Sequence, residues 1–90
     1  MNYDMSKKGF IITSGDNTEI MAKEIIALSK VNSNVNLDFK DVKLMTTTAA
    51  KEILKPIADF LGIDGIFKKI HFCNVAEDLK VVISTAIDSL

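Results

Sequence analysis

The chain has no arginine and no tryptophan, and only one cysteine (Cys73), one proline (Pro56) and one histidine (His71). All eleven basic residues are lysine, so the bidentate forks that grip phosphates and guanine edges are missing. With a net charge of −1 there is also no field to draw in nucleic acid or an anionic membrane, and neither partner is expected. One cysteine excludes an intramolecular disulfide and a Cys-rich metal centre. His71 and Cys73 would supply at most half a zinc site and are expected on opposite faces of a strand, so no metal is expected.

Other shortages narrow the chemistry further. His71, flanked by Ile70 and Phe72, reads as structural rather than as an acid–base catalyst. No spacing of Ser14, His71 and Asp38 supports a catalytic triad. Ser14-Gly15-Asp16-Asn17 offers one glycine where dinucleotide and P-loop fingerprints need several. The expectation is a protein that is not an enzyme and uses no cofactor. Apolar runs are only a few residues long, and the N-terminus has no signal-peptide core, so a cytoplasmic chain with a reduced thiol is expected.

What the sequence has is alternation. Its ninety residues read as one domain, 1–90, without an internal repeat, low-complexity segment or linker. Phe10-Ile11-Ile12-Thr13 is a strand-like run closed by the turn Ser14–Asn17. Asp16 and Glu19 have capping-box spacing before a helix with Ile20, Met21, Ile25 and Leu28 on one face. Val35–Phe39 is a second strand, and Val42, Leu44 and Met45 carry apolar side chains toward Thr46, Thr47 and Thr48. A helix from about Thr47 to Leu61 presents Ala50, Ile53, Leu54, Ile57 and Leu61 together, with a kink or break expected at Pro56. Gly62 is placed to end it in a left-handed conformation. Ile70–Cys73 is the third strand, and Asn74 with Glu77 repeats the cap spacing before an amphipathic helix ending near Leu90. Residues 1–8 read as a short antiparallel edge strand or a flexible N-terminus.

Strand–helix alternation with short connections predicts an α/β fold with a short, mostly parallel sheet and helices packed on it. The three threonines stand at a helix start, where free backbone N–H groups and the helix dipole favour negative charge. That position suits a helix cap, a phosphorylated hydroxyl, or both.

The segment Leu37-Asp38-Phe39-Lys40-Asp41-Val42-Lys43-Leu44-Met45-Thr46-Thr47-Thr48-Ala49-Ala50 resembles the STAS domains of anti-sigma-factor antagonists. In that family a strand of the type Leu-Asp-Leu-Ser-Gly-Val leads to Asp-Ser-Ser-Gly-Leu-Gly at a helix start. Aligning Asp38 and Val42 puts Thr46 on the family's acidic residue and Thr47 on its phosphorylated serine, while Ala49 replaces a glycine. The short bacterial STAS-like domains, with Leu-Asp-Phe and then Ser-Phe-Ala-Asp-Glu, give a second register in which Thr48, Ala50 and Glu52 match. Ala49 and Lys51 depart from that pattern. The likeness spans roughly residues 9 to 90. A receiver domain of a response regulator fits poorly, because Ser14-Gly15-Asp16 follows the first strand where an acidic pair is needed.

The resemblance implies a small STAS-like sandwich acting as a non-enzymatic regulatory interaction module. It implies Thr47 or Thr48 as phosphoacceptor and an interface built from Asp38, Thr46, Thr47, Thr48, Ala49, Lys51 and Glu52. The implied partner is a histidine-kinase-like ATPase or anti-sigma-type kinase. Two other readings come from the residues themselves. One is a small-ligand or nucleotide-sensing domain binding at the C-terminal ends of the strands, with Ser14, Gly15, Asp16 and the threonines on the rim. The other is a homodimer formed through an uncovered sheet edge or an apolar helix face.

Overall fold

Burial alternates along the central strand β3 (Val35–Asp38): Val35 and Leu37 are buried, whereas Asn36 and Asp38 are half-exposed. The period of two gives this strand one apolar and one polar face. The computed structural model, which describes residues 1–90, places β3 between β1 (Asn2–Asp4) and β5 (Ile70–Cys73) in a three-stranded parallel sheet. Tyr3, Leu37 and Phe72 stand in register on the apolar face, and Asn2, Asn36 and His71 in register on the other. A second parallel ladder joins β2 (Ile11–Ile12) to β4 (Leu44–Met45).

Three helices connect and cover the strands: α1 (Asp16–Val31), α2 (Thr47–Lys69) and α3 (Glu77–Asp88). Met21, Ala22 and Ile25 of α1, Ile53, Leu54 and Ile57 of α2, and Leu79, Ile83 and Ala86 of α3 form one core with the apolar sheet face. Full burial of each large aliphatic side chain contributes roughly 1.5–3 kcal/mol. The α/β architecture expected from alternation is therefore present. None of the three helices is long and apolar enough to cross a membrane.

Several local expectations need correction. The N-terminal segment is an edge strand that puts Tyr3 and Met5 into the core, but it runs parallel to β3, because the long connection through α1 crosses over and returns the chain to the same end of the sheet. It takes the place expected for Phe10–Thr13, which contributes only the two-residue β2. Pro56 does not break α2. It lies on the exposed side, where water can replace a lost helical hydrogen bond. The break falls at Gly62, with φ 78° and ψ 162°, and the chain then returns to helix as far as Lys69. Such a backbone is nearly restricted to glycine.

Neither Asp16 nor Asn74 caps a helix. The N-caps of α1 and α3 are Gly15 and Ala76, without side-chain caps. Asn74 instead adopts φ 56° and binds elsewhere. His71 and Cys73 share the face of Asn36 and Asp38, since residues two apart in a strand point the same way. No group of three or more His, Cys, Asp or Glu side chains is arranged to hold a metal ion.

Candidate functional site at the helix starts

Thr46 is the cap of α2. Its backbone is extended, and its hydroxyl accepts the Ala49 N–H at 3.1 Å. Its own N–H donates to the Ile12 carbonyl at 3.1 Å, which ties the helix start to β2. The sequence pattern anticipated a threonine cap, and the geometry assigns it to Thr46. Thr47 is half-buried and Thr48 exposed, so the three hydroxyls sit in three different environments.

Glu52 lies one helical turn after Thr48 on the same side of α2. Its Oε2 accepts the Ser14 hydroxyl at 2.6 Å, and its Oε1 accepts the Gly15 N–H at 3.3 Å. The Thr18 hydroxyl is 2.8 Å from the same Oε1 and 2.5 Å from the Gly15 carbonyl, with one proton to share between them. The Ser14 hydrogen bond, then that of Thr18 and then the Gly15 N–H, hold the Glu52 carboxyl below the ordinary carboxylate range. A carboxylate from α2 thus supplies the negative charge that the start of α1 lacks in its own cap.

Beside this link an open groove of about 610 Å³ runs between the start of α1 and α2. Asp16, Glu19, Glu52 and Asp59 line it together with only two cations, Lys51 and Lys55. Of the residues expected on the rim, Ser14, Gly15 and Asp16 are there, but the threonines are not.

Asp38 stands apart from this groove, at the end of β3. Its Oδ1 accepts the Lys40 N–H at 2.9 Å and the Asn74 side-chain amide at 3.0 Å. The Asn74 bond, then the Lys40 N–H, hold its carboxyl below the ordinary range. Asp4 occupies the matching position on β1, where its Oδ1 accepts the Ser6 hydroxyl at 2.6 Å and the Ser6 N–H at 2.9 Å. These bonds, the Ser6 hydroxyl foremost, hold Asp4 low as well, against the opposing charge of Asp38.

This symmetry has a sequence signature. Asn2-Tyr3-Asp4-Met5 and Asn36-Leu37-Asp38-Phe39 are one Asn–apolar–Asp–apolar motif on adjacent parallel strands, linked by the Asn36 amide donating to Asn2 Oδ1 at 2.8 Å. The two strands therefore share a local four-residue pattern. A search for Asp two residues before an exposed polar N–H would have found it, since that spacing forms a side-chain-to-backbone turn.

The expected interface is only partly assembled. Thr46, Thr48, Lys51 and Glu52 gather at the start of α2, with Thr47 half-covered among them. Ala49 does not belong to it: the side chain is fully buried, because its place on the helix turns it into the core with Ala50 and Ile53. The alanines make close packing inside the protein, not a flat outer surface. Thr18 was not foreseen as a site residue, since its role arises only when α1 and α2 pack together.

No family model, curated protein or solved structure matches the chain, and the meaning of these clusters rests on their own geometry.

Proposed function

We propose that the chain is a non-enzymatic protein-interaction module of STAS-like type, with its contact surface at the start of α2. One observation carries this reading. The cap is supplied by Thr46 alone, which leaves the Thr48 hydroxyl exposed beside Lys51 and Glu52. A phosphoryl group on Thr48 would add about −1.5 to −2 charges without removing the cap. Backbone N–H groups and the dipole of α2 favour that charge, and Lys51, three residues on, is a counter-charge within reach. Thr47 is the second candidate, and its partial cover makes it the less accessible one.

The fold would survive such a modification, whereas a partner docked over the same spot would meet new charge and bulk. Like-charge contact across an interface costs several kcal/mol. The partner class is that implied by the resemblance, a histidine-kinase-like ATPase or anti-sigma-type kinase. Thr46 stands where that family has an acid, so recognition of the hydroxyl would rest on other residues, with Lys51 and Glu52 the nearest charges.

The groove beside Ser14 supports the alternative of a small-ligand sensor less well for phosphates and nucleotides. Glu52 already occupies the Ser14 hydroxyl and the Gly15 N–H, and four carboxylates against two lysines repel an anion.

Co-purification with an ATPase encoded beside this gene tests the proposal. Thr48→Glu should weaken the complex while circular dichroism and melting stay near those of the unmodified protein, and Thr48→Ala should bind normally. Normal binding by both Thr47→Glu and Thr48→Glu would refute the switch. A saturable rise in melting temperature with nucleotides would favour the ligand reading instead.

A further inference from the structure

β5 is the last strand of its sheet, and nothing in the chain pairs with its outer edge. The Cys73 carbonyl accepts the N–H of Phe39, the residue after β3, at 2.9 Å. Alternation then directs the Phe72 N–H and C=O, and the Ile70 C=O, away from β3. The Ile70 N–H is already used by the Ile66 carbonyl. Ile70–Cys73 carries no proline, no lysine and no bulge, the usual devices that protect an edge.

A mostly apolar groove of about 650 Å³ follows this edge, with Phe67, Ile70, Phe72 and Ile83 in its lining and Lys80 its one charged residue. Phe67 is 60% exposed, a large aromatic surface beside unpaired backbone. An unpaired main-chain donor and two acceptors beside an apolar trough are what an added strand requires.

We propose that the occupant is a second copy of this chain, whose β5 pairs antiparallel with β5 about a two-fold axis at Phe72. In that register Phe72 exchanges both backbone hydrogen bonds with Phe72 of the second copy. The pleat keeps like faces together: Phe72 meets Phe72 on the apolar side, and His71 meets Cys73 on the polar side. No like charges oppose one another within the strand.

Charge at the strand ends favours a second copy over an unrelated peptide. Lys68 and Lys69 precede β5, and Glu77 and Asp78 open α3 just after it; Glu77 is paired with Lys80 at 3.1 Å, which leaves Asp78 as the acid outside any ion pair. Antiparallel pairing sets the cationic end of each copy beside the acidic end of the other, twice over. Lys69 is engaged with the Ser29 carbonyl at 3.3 Å, which leaves Lys68 as the free cation. The assembly would be a six-stranded sheet in the order β1-β3-β5-β5-β3-β1, with each Phe67 covered near the apolar trough of the other copy. Such an interface is isologous and closed, so it stops at a dimer.

Sedimentation equilibrium of the full chain across a concentration series tests this. The unmodified protein should be a reversible dimer. Phe67→Glu should weaken association about tenfold or more with circular dichroism unchanged. Lys68→Glu and Asp78→Lys should each weaken it, and the two together should restore it, which a general loss of stability would not do. Ile11→Glu, on the other ladder, should leave it unaltered. A monomer at every concentration up to about 1 mM would overturn the proposal. So would a dimer that both Phe67→Glu and Lys68→Glu leave intact.

Discussion

Glu52 of α2 accepts the Ser14 hydroxyl at 2.6 Å across 38 positions of sequence, and so joins the start of one helix to the flank of another. Thr18, which is only 1% exposed, and the Gly15 N–H complete the set of donors. Loss of this carboxylate leaves the Ser14 hydroxyl and the Gly15 N–H without their acceptor.

Glu52→Gln should therefore lower the melting temperature at neutral pH, and Glu52→Ala should lower it further. The folded protein holds this carboxyl below its ordinary range, so its contribution is present above the unfolded value of about 4.3 and is lost as pH falls through the folded value. Scanning calorimetry at pH 7 and pH 3 should show the gap between the unmodified protein and Glu52→Gln narrowing in acid. A gap that does not depend on pH would contradict the electrostatic account.

The Tyr3 hydroxyl donates to Glu24 at 2.6 Å, where β1 meets α1. Tyr3→Phe should cost about 1.5–3 kcal/mol by urea unfolding, as expected for a hydrogen bond to a charged acceptor. Burial first, and then the Glu24 bond, hold the phenol well above its ordinary value. The stabilisation is complete below the unfolded phenol value of about 10 and is lost as pH rises beyond it. The protein should lose stability at alkaline pH more steeply than Tyr3→Phe does.

Gly15 (φ 150°, ψ −162°) and Gly62 (φ 78°, ψ 162°) adopt backbones that other residues strongly avoid. A Cβ at either would meet no neighbouring atom, so any cost of alanine there comes from the backbone itself. Gly15→Ala and Gly62→Ala should each cost on the order of 1–3 kcal/mol. Thermal melts comparable to the unmodified protein for both would show that these turns relax freely.

Thr46 and Thr48 should separate under substitution. Thr46→Ala removes the acceptor for the Ala49 N–H and should cost about 0.5–2 kcal/mol. Thr48→Ala, on the exposed side, should stay within about 0.5 kcal/mol. Chemical denaturation of the pair distinguishes the cap from the candidate phosphoacceptor without any partner present.

The legible parts were those set by neighbours along the chain. β3, β5 and the apolar face of α3 follow from periodicity, and the threonine cap follows from a polar residue placed before an amphipathic run. Pro56 misled, because a proline on an exposed helix face loses a bond that water can replace. Asp16 and Asn74 misled because cap spacing is not sufficient: Gly15 and Ala76 take the cap positions, and Asn74 turns instead to Asp38, distant in sequence. The Asn–apolar–Asp–apolar pattern is visible in the letters, but it gains meaning only when the two strands lie side by side.

Sequence by itself determined the α/β alternation, the lysine-only charge and the threonine cap at the start of α2, since each depends on composition or on contacts within one helical turn. Tertiary structure decided which strands share the sheet, that β1 runs parallel, that Ala49 is interior and that Glu52 serves α1. Those choices depend on which apolar faces are buried together and which distant polar groups satisfy one another, and both are set only when the whole chain packs.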